Sequence, residues 1–335
     1  MTILNLERNN DLADPVPVER NTGQTIARFL EQYGVGVIAV ILVAIVAVGN
    51  PAFLSFINIA NMLSQWAPAG LMAIGMTYVI IAGGFDLSIA AVFSFSAVVA
   101  AAVGQQQSFV LALAAAVVAG AFVGVVNAGL IARFNINPFI TTVGTGFIVT
   151  GITFVFTKNA AFIVDNVDFG IIGAGRWHGV PYSGMLLILL LVVAGLLLSR
   201  TIYGHVVYAV GGNIEASRLS GLRVPLIVGS TYVLLGALTG IAGFISASQL
   251  TSAQANMDPN ILFDVLTIVI VGGTPLGGGV GSIGRTAIGL LLIATITNGF
   301  VLLDINPFYQ NIIKGVLIVG ALVLDSILKR VTRAV

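Results

Sequence analysis

Charged residues are rare inside the apolar stretches of this chain, so those that occur there are the first candidates for chemistry. Asp264 and Lys314 lie about one and two helical turns into two late apolar stretches that enter from the same side. An unpaired charge at that depth is costly, so it is by default interpreted as functional or paired. Opposite sign and similar depth predict an ion pair that joins two helices, in preference to contact with a substrate.

Two glycine clusters interrupt apolar stretches. Gly83 and Gly84 precede Asp86, and Gly272 and Gly273 begin a run that also holds a proline and three more glycines. Adjacent glycines and proline end a helix, and the backbone groups that they free must be satisfied by protein or by a water-lined cavity. Both clusters are therefore candidates for a hinge or a pathway lining, and a plain turn at the membrane surface is the alternative. Asp86 is expected to cap the helix that follows it.

An island rich in charge and glycine, residues 203–224, separates two long apolar stretches. Within it, Asn213 is placed to cap a short helix at its start and Gly221 to end it. A helix with apolar and charged side chains of this kind would lie across a membrane surface, where a soluble protein can hold it. A solvated loop with incidental charges is the alternative. The side chains concerned are Ile214, Glu215, Arg218, Leu219, Leu222 and Arg223.

Composition sets the class of protein. Hydrophobic residues make up 58% of the 335 residues and charged residues 8%, against roughly 25% charged residues in soluble domains. A helix needs about 20 apolar residues to cross about 30 Å of hydrocarbon. The sequence therefore predicts an all-α polytopic membrane protein with about ten transmembrane helices, near 35–53, 62–82, 87–104, 108–132, 138–157, 184–199, 224–249, 261–275, 286–303 and 308–328.

The distribution of basic residues predicts the orientation. Residues 1–33 lack the basic start and short apolar run of a cleavable signal, so we interpret them as a cytoplasmic tail. On that placement eleven basic residues lie inside, and only Lys158 and Arg176 lie in outer loops. Both termini are then cytoplasmic. The predicted organisation is a tail at 1–33, a transmembrane domain at 34–330 that contains a cytoplasmic loop at 201–223, and a cytoplasmic end at 331–335.

Several function classes lack their motifs in this sequence. No G-x-x-x-x-G-K-[ST] occurs, so a P-loop is excluded and any ATP must be handled by another polypeptide. The two histidines, His178 and His205, are expected in loops, which disfavours an intramembrane protease site. The chain has no cysteine, which excludes disulfides and thiolate metal sites. We expect no enzyme activity, no metal and no cofactor on this chain.

Other glycines lie within apolar stretches beside alanine and serine. In lipid, helices gain little from burying apolar surface, so small residues that allow close approach become important for packing. We predict a packing role for Gly70, Gly75, Gly120, Gly124, Gly236, Gly240 and Gly243.

Five sequence blocks resemble one family in the same order. Residues 73–101, AIGMTYVIIAGGFDLSIAAVFSFSAVVAA, are similar to the GMTFVIITGGIDLS signature of ribose-type sugar permeases, the branched-chain-like group of bacterial ABC importers. The other blocks are NPFITTVGT (137–145), YAVGGNIEASRLSG (208–221), IVGGTPLGGGVGS (270–282) and NPFYQNIIKGVLIV (306–319). Where SGGRGS is usual, Gly277–Ser282 reads GGGVGS, and such losses of charge weaken any assignment of a specific sugar.

The resemblance implies an ABC importer permease fold in the bacterial inner membrane and a monosaccharide or similar polyol as substrate. It implies three protein partners: a tandem-domain ABC ATPase that holds ATP and Mg, a periplasmic sugar-binding protein, and a second permease chain, identical or paralogous. No nucleic acid is expected. The E-A-S-x-x-x-G spacing resembles the cytoplasmic loop that contacts the ATPase, which assigns this role to Gly212, Asn213, Glu215, Ala216, Ser217, Arg218 and Gly221.

Further pathway or hinge candidates, beyond the glycine clusters and Asp86, are Gln65, Asn127, Phe139, Asn298 and Phe308. Phe139 and Phe308 end two similar blocks, NINPF and DINPF, which open the fifth and tenth apolar stretches. That offset of five would imply an inverted repeat. The glycine clusters follow the second and eighth stretches, an offset of six that implies no inversion, so the sequence leaves an internal repeat open.

Two other classes of function remain after this reasoning. A proton-coupled secondary sugar transporter could use Asp86, Asp264 or Lys314, and it would need no docking helix. A membrane scaffold or receptor subunit would need neither the glycine clusters nor a pathway.

Overall fold

The computed structural model describes residues 22–306 and 308–333, most of which are helical. Within the first helix, Gly34 ends one unit of the chain and Val35 begins another, and the packing below is that of the second unit. The α-helices are α1 (Thr22–Gly49), α2 (Phe56–Gln65), α3 (Ala67–Ile81), α4 (Ile89–Gly104), α5 (Phe109–Ala128), α6 (Pro138–Thr157), α7 (Ile171–Ala174), α8 (Tyr182–Arg200), α9 (Ile202–Gly212), α10 (Ile214–Leu219), α11 (Val224–Leu250), α12 (Ile261–Val271), α13 (Ile283–Leu302) and α14 (Phe308–Arg333).

Four two-residue strands form two antiparallel pairs. β1 (Phe162–Ile163) pairs with β4 (Ser252–Ala253), and β2 (Arg176–Trp177) pairs with β3 (Val180–Pro181). Helix α8 runs from β3 to α9, so the strand pairs and the helices α9 and α10 lie at opposite ends of the bundle. We call these the strand end and the α10 end.

The ten apolar stretches each coincide with a helix. Five helices are long and apolar enough to cross a membrane, by length and composition, and five shorter apolar helices match the remaining stretches. The second stretch, 62–82, contains all of α3 and the end of α2, because these two helices follow one another with only Trp66 between them. The all-α, polytopic class predicted from composition is confirmed.

Glycine allows the central helices to approach one another closely. Gly120 of α5 lies against the backbone of Gly236 and Gly240 of α11, so that an added methyl group would overlap the Gly236 carbonyl oxygen. A methyl group at Gly75 in α3 would lie 2.7 Å from the Leu235 Cα. In lipid, small residues at an interface let two helix backbones approach closely, which favours their packing. The packing role predicted for these glycines is confirmed, and Gly70, Gly124 and Gly243 are similarly enclosed.

Two turns of similar sequence also have similar geometry. Asn135 and Asp304 both have positive φ, at 56° and 53°. In the first turn Asn137 Oδ1 accepts from the Phe139 amide at 2.9 Å, and in the second Asn306 Oδ1 accepts from the Phe308 amide at 3.0 Å. The likeness of the NINPF and DINPF blocks therefore extends to their backbone, although an internal repeat stays a prediction.

The expected position of one histidine is wrong. His205 lies in helix α9, where its Nδ1 is 2.7 Å from the Thr201 carbonyl oxygen, and not in a loop. The segment between α8 and α11 is helical because Thr201 caps α9 through its hydroxyl, which accepts from the Gly204 amide. His178 lies in the two-residue turn between β2 and β3, as expected.

Candidate functional site

Helix α10 is short, and both of its ends are closed by local hydrogen bonds. The Asn213 Oδ1 accepts from the Ala216 amide at 2.9 Å, which is the expected N-cap. At the other end Gly221 has φ +82°, and the Leu222 amide donates to the Ser217 carbonyl oxygen at 3.1 Å. The Gly221 amide also donates to Arg218, which completes a Schellman cap. These caps hold six residues in helical form without help from a long helix.

The surface of α10 is open on nearly every side. Ser217 is buried, whereas Ile214, Glu215, Arg218 and Leu219 are exposed. The Arg218 guanidinium lies 3.1 Å from the Glu215 carboxylate, with both side chains more than half exposed. Leu219 is 88% exposed and Ile214 43% exposed, so apolar surface lies beside the charged pair. The helix therefore presents a mixed apolar and charged face that the rest of the described chain does not cover.

Helix α9 ties α10 to the bundle. The Tyr203 hydroxyl is 2.8 Å from that of Ser230 in α11, and the Tyr208 hydroxyl donates to the Gly281 carbonyl oxygen at 2.7 Å. Burial raises the pKa of both tyrosines above the ordinary value, so each hydroxyl keeps its proton for these hydrogen bonds. Since only Asn213 separates α9 from α10, a force on α10 acts directly on an anchored helix.

The two glycine clusters are helix ends. At the end of α3 the Gly84 amide donates to the Val79 carbonyl oxygen at 2.8 Å. At the end of α12 the Thr274 amide donates to the Val269 carbonyl oxygen at 3.1 Å. The glycines between, Gly83 and Gly273, have φ of +83° and +90°. Both ends are Schellman caps like that of α10. The backbone groups at these positions are therefore satisfied within the caps, and a role as hinge or pathway lining stays a prediction.

Asp86 lies in a buried polar network. One carboxylate oxygen accepts from the Ser88 amide at 2.7 Å and the Ser88 hydroxyl at 2.6 Å, and the other accepts from Asn127 Nδ2 at 3.1 Å. The expectation that Asp86 caps the following helix is wrong, because α4 begins at Ile89 with Ser88 at the N-cap position and no side-chain cap hydrogen bond. Asp86 instead holds the link before the helix through Ser88. The network joins the link between α3 and α4 to α5. Among the pathway candidates, Asp86 and Asn127 are thus brought together.

Asp264 and Lys314 are also brought together, between α12 and α14. The Lys314 Nζ lies 2.6 Å from the Asp264 Oδ1, and their side chains are 12% and 13% exposed. The same ammonium group is 5.9 Å from the centre of the Trp66 ring, within reach of a cation–π interaction. Two helices and the link between α2 and α3 therefore meet at one charged group.

The remaining pathway candidates are dispersed. Gln65 is exposed at the end of α2, and Phe139 and Phe308 are exposed at the first turns of α6 and α14. Asn298 and Asn58 exchange side-chain amide hydrogen bonds of 2.9 and 3.0 Å between α13 and α2. Among the described residues, no three His, Asp or Glu side chains come together as a metal site requires.

Comparison with known proteins decides the family. Residues 58–322 match the family model described as "Branched-chain amino acid transport system / permease component". The chain belongs to this family. The matched range of this permease chain runs from α2 into α14, so it includes α9, α10, both glycine clusters and the Asp264–Lys314 pair.

Curated relatives of this family cover most of the permease chain. It is 39% identical over 288 residues to the ribose import permease protein RbsC of Bacillus subtilis. The aligned region covers 85% of this chain and 89% of that protein. The chain is 37% identical over 292 residues to RbsC of Escherichia coli K12, spanning 85% and 91%. The L-arabinose transport system permease protein AraH of E. coli K12 is 33% identical over 312 residues, spanning 93% and 95%. No solved structure matches.

Sequence reasoning missed α9 as a separate helix and missed its two tyrosine anchors. The one local signal was Thr201, a good N-cap residue three positions before Gly204. Nothing near Tyr208 in the sequence indicates a hydrogen bond to Gly281, 73 residues further along the chain.

Proposed function

We propose that this permease chain forms the translocation pathway of an ATP-driven importer, with α10 as the helix that docks on an ABC ATPase. The observation that carries the proposal is the geometry of α10: a capped, exposed helix joined through one residue to an anchored helix. Binding energy at an exposed surface of this kind can move α9 and, through it, the bundle. ATP and Mg would be held by the ATPase chain.

The orientation follows from the same assignment. If α10 meets a cytoplasmic ATPase, the α10 end faces the cytoplasm and both termini lie there, in agreement with the excess of basic residues on that side. The strand end would then face the periplasm, where a sugar-binding protein delivers the substrate. A secondary carrier needs no docking helix, and membership of a permease-component family gives that alternative no support.

The proposed substrate is a monosaccharide or a similar polyol. Relatives that span at least 85% of this chain are named for ribose and L-arabinose import. Because one permease chain has one α10, and ABC ATPases work as two domains in facing contact, we propose that two permease chains form the pore. The second chain is a copy or a paralogue.

The test is reconstitution of the permease with its ATPase and charge reversal on α10. Glu215→Arg should abolish co-purification of the ATPase while the permease still inserts, because the exposed Glu215–Arg218 pair contributes little to folding. Asp165→Arg is the matched control: an exposed aspartate at the strand end, whose reversal should leave ATPase association unchanged. Association that survives Glu215→Arg and a bulky residue at Gly221 would contradict the proposal.

A further inference from the structure

Three chain segments that are far apart in sequence meet closely at the α10 end, and each contributes glycine to the contact. They are the end of α3 at Gly83, the end of α9 at Gly211, and the link after α12 at Gly278 and Gly279. We call these four residues the glycine joint. It brings both glycine clusters of the sequence into contact with the helix that leads to α10.

The contacts in the glycine joint are between backbones. A methyl group at Gly211 would overlap the Ile81 carbonyl oxygen. A methyl group at Gly278 would lie 2.9 Å from the Gly211 carbonyl oxygen and 3.0 Å from the Gly83 Cα. The Gly279 amide donates to that same Ile81 oxygen at 2.8 Å. Since real Cβ atoms do not approach other atoms this closely, no residue but glycine fits at Gly211, Gly278 or Gly279 without displacement of a backbone.

Contacts of this kind transmit displacement well. A contact between long side chains can absorb a shift through rotamer changes, whereas close-packed backbone has low compressibility. Helix α3, which begins the path inward from the joint, is buried along all fifteen residues. On the other side of the joint, the chain before Gly278 connects to α12, whose Asp264 pairs with Lys314 of α14.

We infer that the glycine joint is a rigid transmission element, through which movement of α10 is delivered to α3 and α12. The inference rests on the proposed docking of α10. Its residues are assigned a positioning role in coupling, between the docking helix α10 and the buried helix α3. Binding of the ATPase at α10 and transmission of its motion through the joint are therefore two separate steps.

The experiment compares three single substitutions in the complete permease–ATPase complex. Gly211→Ala and Gly278→Ala place a methyl group inside the joint. Gly284→Ala is the matched control, because a methyl group there meets no atom within 4 Å although Gly284 also lies at the α10 end, in the first turn of α13. ATPase co-purification, ATP hydrolysis and uptake of radiolabelled ribose or arabinose into vesicles are measured for each.

Gly211→Ala and Gly278→Ala should keep the ATPase bound and lower the ratio of uptake to hydrolysis by about tenfold, a factor within the usual range for coupling between sites. Gly284→Ala should keep the wild-type ratio. A wild-type ratio in both joint variants, or loss of the ATPase from them, would overturn the inference. Failure of the docking proposal would instead appear in the wild type, as absence of any ATPase association.

A wild-type measurement decides the matter if the joint variants do not insert. The Gly279 amide, bonded to Ile81, should stay protected from hydrogen exchange with and without a non-hydrolysable nucleotide, because a rigid joint remains closed throughout the cycle. Exchange at Gly279 that becomes fast in one nucleotide state would show that the joint opens, and would overturn the inference.

Discussion

The Glu215–Arg218 and Asp264–Lys314 ion pairs contain the same chemistry in opposite surroundings. In the first the side chains are 73% and 59% exposed and lie one turn apart on α10. In the second they are 13% and 12% exposed and join α12 to α14 across 50 residues of sequence. Water screens the first pair, so it contributes little to folding. The second pair is largely shielded from water, so either charge without its partner would destabilise the folded protein.

The enclosed charges are used for assembly within the chain, whereas the exposed charges are available to a partner. An exposed pair on a capped helix leaves its hydrogen-bonding capacity open to another protein. A pair enclosed by two helices and the Trp66 ring has its partners already. Substitutions in the two pairs and in the α10 cap test that distinction.

Removal of one charge from the enclosed pair should destabilise the protein strongly. Asp264→Asn leaves the Lys314 ammonium, and Lys314→Met leaves the Asp264 carboxylate, as a lone charge between α12 and α14, at a cost of about 2.5 to 3.5 kcal/mol on insertion scales. The double variant should cost less than the sum of the two, since no unpaired charge remains. Thermal unfolding in detergent measures all three. Strictly additive losses would show that the two groups act independently and would make Lys314 a candidate for the pathway.

Loss of the glycine at the end of α10 should act locally. Gly221→Ala forces a residue with a Cβ to adopt φ near +82°, at a cost of roughly 1 to 2 kcal/mol, and should speed hydrogen exchange in 214–222 while the unfolding midpoint stays unchanged. Gly221→Asn is the matched control, because asparagine tolerates the left-handed conformation better. Equal exchange in α10 of both variants and the wild type would refute the proposed role of the cap.

Neutralisation of the exposed pair should have the smallest effect on the isolated permease. Glu215→Gln should change the free energy of unfolding by less than about 0.5 kcal/mol, as for other exposed pairs on one helix turn. Arg218→Gln should behave in the same way. A loss as large as that of Asp264→Asn would mean that α10 is held by this pair and is not free to meet a partner.

Much of this fold could be predicted because membrane insertion acts on short stretches of sequence. The ten apolar stretches and the caps at Asn213 and Gly221 are local features, and each depends on residues that are neighbours in the chain. The Asp264–Lys314 contact is long-range, but it was predictable because so few charges were available as partners. The small number of charged residues, and not closeness in the sequence, made this contact predictable.

The glycine joint could not be predicted in this way. The sequence marks Gly83 and Gly278 as unusual, but forty glycines offer too many partners for any one to be chosen. A residue without a side chain carries no charge, size or polarity that a partner must match. Its role depends on the path of the backbone in three separate segments. The same reason hides the contact between α9 and the link that follows α12.

The close approach of α5 and α11 has a consequence for the synthesis of this protein. Gly120 and Gly236 are 116 residues apart in the chain. At roughly 5 to 20 residues per second, the ribosome needs on the order of ten seconds to make the second after the first. During that interval the glycine face of α5 has entered the bilayer without the helix that fits it. A pause in translation before α11 would lengthen the time that this face spends without the helix it packs against.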